Sequence, residues 1–182
     1  MNAMNAMNAT NLVRTLRSLH GNKVGAAIEE LLRSEDDLAG ALLDLRDRQR
    51  TDHEIFHVAG DIARWSQKHV RELTRVGRDY GLDLDPAPTH ESSVVARVKQ
   101  KGAELVGRHH EPGLMLLADL RHLHRAAAGV SLDWEVLAQT AQAMRDEELL
   151  ALCQDAHPQT VRQMRWADAK VKETAAQVMV TG

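Results

Sequence analysis

Two ionisable residues, Glu35 and His69, interrupt two otherwise apolar helical stripes, and they are the residues best suited to chemistry in this sequence. A carboxylate and an imidazole can together bind a transition metal or hold a proton. Charged side chains are seldom fully buried without a partner. We therefore expect Glu35 and His69 to interact directly, through water or through a metal ion. A structural Glu–His hydrogen bond and metal ligation are both open at this point.

The two stripes are predicted to form an antiparallel helical hairpin that brings Glu35 and His69 to the same depth. Apolar residues recur at steps of three and four, which is typical of one face of a bundle helix. Thr51 or Asp52 can cap the second helix. When a hairpin turns near residue 51, residues at equal depth have numbers that sum to about 102. The first stripe is Val24, Ile28, Leu31, Glu35, Leu38, Leu42 and Leu45, and the second is Ile55, Val58, Ile62, Trp65, His69, Leu73, Val76 and Tyr80.

Several other polar residues are candidates for the same interior or for the surface. Asp119 is a candidate third metal ligand, although an ion pair with a neighbouring arginine at the surface is also predicted. Asp168 lies on the predicted stripe of the last helix and is another candidate interior acid. Glu54 and His57 form the one literal Glu-x-x-His sequence, but His57 points away from the apolar stripe. We interpret that motif as part of a solvated face. No catalytic residue is predicted.

Composition limits the class of protein. The chain has 182 residues, of which 43% are hydrophobic and 3% aromatic, values that favour a single helical domain. The formal net charge of −3 gives no basic surface for nucleic acid. A lone cysteine, Cys153, is compatible with a reducing compartment. No apolar run reaches the roughly 20 residues of a membrane span, and the N-terminus does not resemble a signal peptide. A cytoplasmic protein is expected.

Turn signals divide the chain into a tail and one bundle. Residues 1–21, which begin with three Met-Asn-Ala repeats, are predicted to be a largely disordered tail, with at most a short helix that ends at Gly21. Residues 22–182 are predicted to form one antiparallel bundle of α-helices. Between its hairpin and its last helices, an extra helix is expected over 91–106. Residues 114–154 form either one kinked helix or two helices separated at Gly129, and Pro158 is predicted to begin the last helix.

The pattern resembles the ferritin-like superfamily over residues 24–180. The resemblance rests on the acid in Ser34-Glu35-Asp36-Asp37-Leu38, on the level-matched His69, and on the long crossover after the second helix. The nearest branch is the small bacterial stress-associated ferritin-like proteins of poorly known activity. The resemblance implies a ferritin-like four-helix bundle with an extra crossover helix. In functional members, lone carboxylates and Glu-x-x-His pairs hold two metal ions, and such a site implies an iron oxidase, an oxygenase or an iron store.

The sequence departs from the ligand pattern of that superfamily. Ser66 stands where the second helix would carry an acid, and the segment from His157 to Thr160 has no Glu-x-x-His. Two divalent ions need more carboxylates than Glu35 and Asp119 supply, so a di-iron centre is not expected. The prediction is either no cofactor or a single transition metal on Glu35, His69 and Asp119. A non-enzymatic protein that forms a dimer or binds a protein partner is favoured, with an iron oxidase or iron-storage protein as the alternative.

Overall fold

The chain folds into four long helices in this computed structural model, which describes residues 2–84 and 111–181 and the side chains of 23–84 and 111–180. The helices are α1 (Asn2–Arg48), α2 (His53–Gly77), α3 (Pro112–Met144) and α4 (Glu147–Thr181), and a single 3-10 turn (Arg78–Tyr80) follows α2. These described ranges contain no β-strand. None of the described helices has a stretch apolar and long enough to cross a bilayer.

The helices form two antiparallel hairpins, α1–α2 and α3–α4, which pack against each other as a bundle. Helix α1 packs on α3 and α2 packs on α4. Glu35 contacts Trp134 and Arg48 contacts Asp119, so α1 and α3 run in opposite directions. Helices α2 and α3 are therefore parallel, so the end of α2 and the start of α3 lie at opposite ends of the bundle. The predicted all-α bundle is confirmed, whereas the predicted helix over 91–106 lies outside the described residues.

In the first hairpin the predicted α1 stripe is buried, whereas Val58 and Trp65 of the predicted α2 stripe are only half-buried. The apolar side chains of the α1 stripe are at most 4% exposed, and they form the core together with Ile55, Leu73 and Val76 of α2. Asp52 caps α2, as predicted, because its carboxylate accepts a hydrogen bond from the backbone N–H of Ile55 at 3.0 Å. The chain leaves the 3-10 turn through Gly81, whose φ of 78° is in the left-handed region that glycine adopts at little cost.

The N-terminal break is absent from the described backbone. Helix α1 begins at Asn2 and continues through Gly21, so the predicted short helix ending there is wrong. A glycine inside a helix lowers helix stability by only about 1 kcal/mol relative to alanine, and the flanking helical turns can offset that loss. The side chains of 2–22 are outside the described part, and the division into a tail and a bundle at residue 22 stays a prediction.

The boundaries in the second half also differ from those expected. Gly129 lies inside α3, where a side chain at that position would meet no neighbour within 4 Å, and it makes no break. The break falls at Arg145, whose φ is 55°, and Asp146 accepts a hydrogen bond from the N–H of Leu149 at 3.2 Å as α4 begins. Residues 114–154 thus belong to two helices. Pro158 is inside α4 and exposed, so the missing hydrogen bond falls on the solvent side.

Candidate functional site

A direct hydrogen bond joins Glu35 and His69 in the middle of the bundle. Glu35 Oε1 and His69 Nδ1 are 2.8 Å apart, and the two side chains are 0% and 1% exposed. The predicted depth match between α1 and α2 is therefore confirmed, and so is the direct interaction. The geometry follows from the stripe: each residue takes a core position on its helix, and the antiparallel hairpin sets them opposite each other.

Two further donors from the other hairpin converge on the same carboxylate oxygen. Trp134 of α3 donates its indole N–H to Glu35 Oε1 at 2.7 Å, and Thr160 of α4 donates its hydroxyl at 3.2 Å. The Trp134 ring also meets the His69 ring edge to face, with centroids 5.6 Å apart. One oxygen atom thus joins all four helices at a single depth of the bundle.

Ser66 and Gln163 extend this group along the interface of α2 and α4. Gln163 donates its side-chain N–H groups to the backbone oxygen of Ile62 at 2.8 Å and to Ser66 Oγ at 3.0 Å. Both side chains are 0% exposed. We call the six side chains of Glu35, Ser66, His69, Trp134, Thr160 and Gln163 the polar layer.

The hydrogen bonds of the polar layer favour the ionised form of Glu35. Burial by itself raises the pKa of Glu35, but the hydrogen bonds from His69, Ser66 and Trp134 and the charge on His69 hold that pKa below its ordinary value of 4.5. An ionised carboxylate only accepts hydrogen bonds, so Nδ1 of His69 carries the hydrogen that lies between the two groups.

Three buried atoms of the layer keep unused hydrogen-bonding capacity. Within the described part of the chain, Glu35 Oε2, His69 Nε2 and Gln163 Oε1 have no hydrogen-bond partner. Buried polar atoms are usually paired, and unpaired ones identify either stored strain or the position of a bound water or ion. A histidine that donates Nδ1–H to a carboxylate and keeps Nε2 free also has the orientation of a metal-binding histidine.

Asp119 does not join Glu35 and His69. It accepts a hydrogen bond from Arg48 Nε at 2.8 Å and is 25% exposed. It lies 15 positions before Trp134 on α3, which separates it from the polar layer by about 22 Å along the helix axis. The predicted three-residue metal site is therefore not assembled, and the alternative reading of Asp119 as one half of an arginine ion pair is confirmed.

The remaining candidates lie at the surface. Glu54 pairs with Lys170 at 2.6 Å and is 62% exposed, and His57 is exposed, as expected for a solvated face. Asp168 is half-buried, and its hydrogen bond from Lys172 at 2.6 Å lowers its pKa. Its predicted interior position is wrong because the buried stripe of α4 is displaced by one residue. That stripe is Cys153, Ala156, Thr160, Gln163, Ala167 and Lys170.

Among the described residues, the polar layer contains two metal-binding groups, the carboxylate of Glu35 and the imidazole of His69. Across residues 23–84 and 111–180, no three His, Cys, Asp or Glu side chains are grouped so that they could hold a metal ion. Cys153 is 1% exposed, and burial, the main cause, raises the pKa of its thiol to about 12, which disfavours the reactive thiolate at neutral pH. The layer can hold a carboxylate charge and a proton between helices, but its side chains are closed off from solvent.

Sequence reasoning missed Trp134, Thr160 and Gln163. Their signal was present, because a threonine and a glutamine spaced three apart interrupt the apolar stripe of α4. The predicted stripe, which contains Asp168, lies one residue later than the buried stripe and therefore does not contain Thr160 or Gln163. The sequence does not distinguish a tryptophan that only packs in the core from one that also donates a hydrogen bond, because the acceptor of the indole N–H lies on another helix.

No family model matches this chain, and neither a curated protein nor a solved structure does. The polar layer and the surface of the bundle are therefore the features that bear on function.

Proposed function

We propose that this protein is a non-catalytic helical-bundle protein of the ferritin-like type, in which a structural polar layer stands where relatives would bind metal, and that it acts by binding protein. The observation that carries the proposal is the use of Glu35 Oε1 by three donors, the imidazole of His69, the indole of Trp134 and the hydroxyl of Thr160. A carboxylate oxygen that accepts three hydrogen bonds is satisfied without a cation.

The donor set supports a structural role for the layer. An indole N–H and a protonated Nδ1 are hydrogen-bond donors and cannot ligate a metal through those atoms. Di-iron sites in helical bundles need carboxylates from several helices, whereas Ser66 and Thr160 occupy the corresponding depth on α2 and α4 here. Hydrogen bonds from α2, α3 and α4 to the one carboxylate on α1 instead fix the register of the two hairpins. This proposal includes a cytoplasmic location.

The topology supports the ferritin-like part of the proposal. The two hairpins are antiparallel and their middle helices, α2 and α3, run parallel, which is the helix arrangement of ferritin-like bundles with one crossover connection. The acid on α1 and the histidine on α2 also occupy the interior at the same depth.

Metal analysis of the purified full chain tests the proposal. The protein is treated anaerobically with Fe(II) or with Zn(II), desalted, and assayed for bound metal alongside Glu35→Gln, His69→Ala and the surface control Glu54→Gln with His57→Ala. We expect far less than one metal per chain in every variant. One metal per chain in the wild type and the surface control, lost in Glu35→Gln and His69→Ala, would overturn the proposal.

A second candidate function is the binding of a single transition metal such as zinc. It is favoured by Glu35 Oε2 and His69 Nε2, which have no partner among the described residues although both are buried. Zinc sites draw on three or four protein ligands, so this candidate requires a rearrangement that brings a third ligand to the layer. The same metal analysis separates the two candidates, because only the second predicts loading that depends on both residues.

A further inference from the structure

The start of α2 carries two exposed histidines, His53 and His57, about one helical turn apart. Residues four apart lie on the same face of a helix. The two imidazole rings are stacked, with centroids 6.3 Å apart and planes inclined by 30°. Two imidazoles on adjacent turns can therefore reach one ion between them. We call these two side chains the histidine pair.

Local contacts hold the histidine pair in position. Asp52 caps α2 by accepting a hydrogen bond from the N–H of Ile55 at 3.0 Å, which fixes the backbone turn that bears both histidines. The ring of Phe56 also contacts the ring of His57 edge to face, with centroids 5.1 Å apart. This order favours binding, because a ligand that must first immobilise free side chains loses binding energy.

The five residues from His53 to His57 have the spacing His-Glu-x-x-His on a helix. In zinc hydrolases that spacing places two histidines on one face as metal ligands, with the glutamate as general base. Here Glu54 is engaged in an ion pair, since its Oε1 is 2.6 Å from Lys170 Nζ. Among the described residues no third His, Cys, Asp or Glu side chain completes the set. The motif therefore keeps the two ligands of that chemistry, whereas its base is paired with a lysine.

The charge near the histidine pair suits a cation. Glu54 and Glu173 share the ammonium group of Lys170, each at 2.6 Å. The carboxylate of Asp52 immediately precedes His53. Three carboxylates and one ammonium group leave a net negative charge, which offsets the positive N-terminal end of the α2 dipole.

We propose that the histidine pair binds one divalent transition-metal ion of the nickel, copper and zinc class, with water completing the coordination shell. Imidazole nitrogens suit these ions, whereas hard cations such as magnesium take oxygen ligands. Two protein ligands are sufficient here because both histidines are exposed and water reaches the remaining positions. Glu35 and His69, at 0% and 1% exposed, lack that access.

The histidine pair is separate from the polar layer, and the two can be tested apart. An ion with only two protein ligands is held weakly and is largely removed by desalting, so metal analysis of desalted protein reports on the layer. The surface control of that analysis also lacks His57. Metal that is lost from this control but kept in Glu35→Gln and His69→Ala belongs to the histidine pair, and the reverse pattern belongs to the layer.

Calorimetric titration of the full chain with nickel(II) at neutral pH, in excess magnesium and without desalting, tests the site. We expect one ion per chain to bind more tightly than any other. Its affinity should fall about tenfold or more in His53→Ala and in His57→Ala, because a single imidazole loses the chelate. His122→Ala, at an exposed histidine of α3, should leave that affinity unchanged. Circular dichroism checks that each variant folds. No binding to the wild type, or equal binding in all variants, overturns the proposal.

A displaced histidine tests whether the spacing matters. The double variant His57→Ala with Asp61→His keeps the number of histidines but places the two about 12 Å apart along α2, so it should bind nickel(II) as weakly as His57→Ala alone. Below one equivalent, paramagnetic nickel(II) should broaden the NMR signals of the His53 and His57 rings before those of the other histidines. Wild-type affinity in the displaced variant, or earlier broadening at another histidine, overturns the proposal.

Discussion

At the scale of the residue, Glu35 is a buried carboxylate that joins all four described helices. Its side chain is 0% exposed, and each of the three other helices contributes a hydrogen-bond donor to it. A buried carboxylate is costly in isolation, but hydrogen bonds and a neighbouring imidazole offset that cost. Its lowered pKa is the measurable sign of this balance.

The pH dependence of stability follows from that lowered pKa. A carboxyl whose folded pKa lies below its unfolded value of 4.5 stabilises the protein above about pH 4.5, and the contribution is lost as the pH falls through the folded pKa. We expect Glu35→Gln to lower the free energy of unfolding by about 3 kcal/mol at pH 7. Urea titrations should show the difference from wild type shrinking below pH 4.5. A difference that is constant from pH 7 to pH 3 would mean that Glu35 is not ionised in the fold.

At the scale of the element, the turn between α3 and α4 is held by a contact from the other hairpin. Asp146 is 1% exposed and caps α4 through Leu149, and its second oxygen accepts a hydrogen bond from Tyr80 at 2.5 Å. Tyr80 closes the 3-10 turn after α2. The cap of one hairpin is thus fixed by the end of the other.

Removing the Tyr80 hydroxyl tests this contact. We expect Tyr80→Phe to lower the free energy of unfolding by about 2 kcal/mol, because a buried carboxylate loses a donor while the ring still fills its place. Thermal and chemical denaturation would measure it. Thr140→Val is a suitable control, since the Thr140 hydroxyl bonds only a carbonyl of its own helix and should change stability by less than about 0.5 kcal/mol. Equal effects in the two variants would contradict the assignment.

The elements also show which parts of the fold the sequence could predict. The stripes of α1 and α2 were readable because regular apolar spacing determines which face is buried, and the depth match of Glu35 and His69 followed from the hairpin. The break at Arg145 was missed because its left-handed backbone is not a property of arginine. Gly129 and Pro158 predict helix boundaries that the structure does not have, because packing along long helices overrides one unfavourable residue. The acid run from Asp146 was the available signal for the true start of α4.

At the scale of the whole molecule, ion pairs join the two hairpins along the interface of α2 and α4. They cross at three depths, all at 2.6–2.7 Å: Glu54 with Lys170, Lys68 with Asp155, and Arg75 with Glu148. Among these six paired side chains, that of Lys170 is the most buried, at 8% exposed. Burial lowers its pKa, but hydrogen bonds to Glu173 and Glu54 raise it above its ordinary value. The same interface covers Ser66 and Gln163 of the polar layer.

Weakening these pairs should loosen the two hairpins without unfolding either. In the triple variant Glu54→Gln, Glu148→Gln and Asp155→Asn we expect a loss of about 1–2 kcal/mol at low salt that largely disappears at 1 M NaCl. Hydrogen exchange at the Trp134 indole should become faster, because that hydrogen bond joins the hairpins.

The matched control removes carboxylates that pair locally on α1 and α2, in Glu30→Gln, Asp47→Asn and Asp61→Asn. It should leave the exchange of the Trp134 indole unchanged. Faster exchange in both variants would show that the ion pairs between the hairpins stabilise the contact between them no more than the local pairs do.

The convergence of three donors on Glu35 Oε1 also has an evolutionary consequence. A lineage that replaced Glu35 with leucine would remove the carboxylate that accepts hydrogen bonds from the buried imidazole, indole and hydroxyl. A lineage that replaced Trp134 alone would remove one of the hydrogen bonds that stabilise the buried carboxylate. Single substitutions at these positions therefore lower the stability of the fold, whereas a joint replacement by apolar residues is tolerated. Glu35, His69, Trp134 and Thr160 should be inherited as a block or lost as a block, and an alignment of homologues in which they vary independently would contradict this.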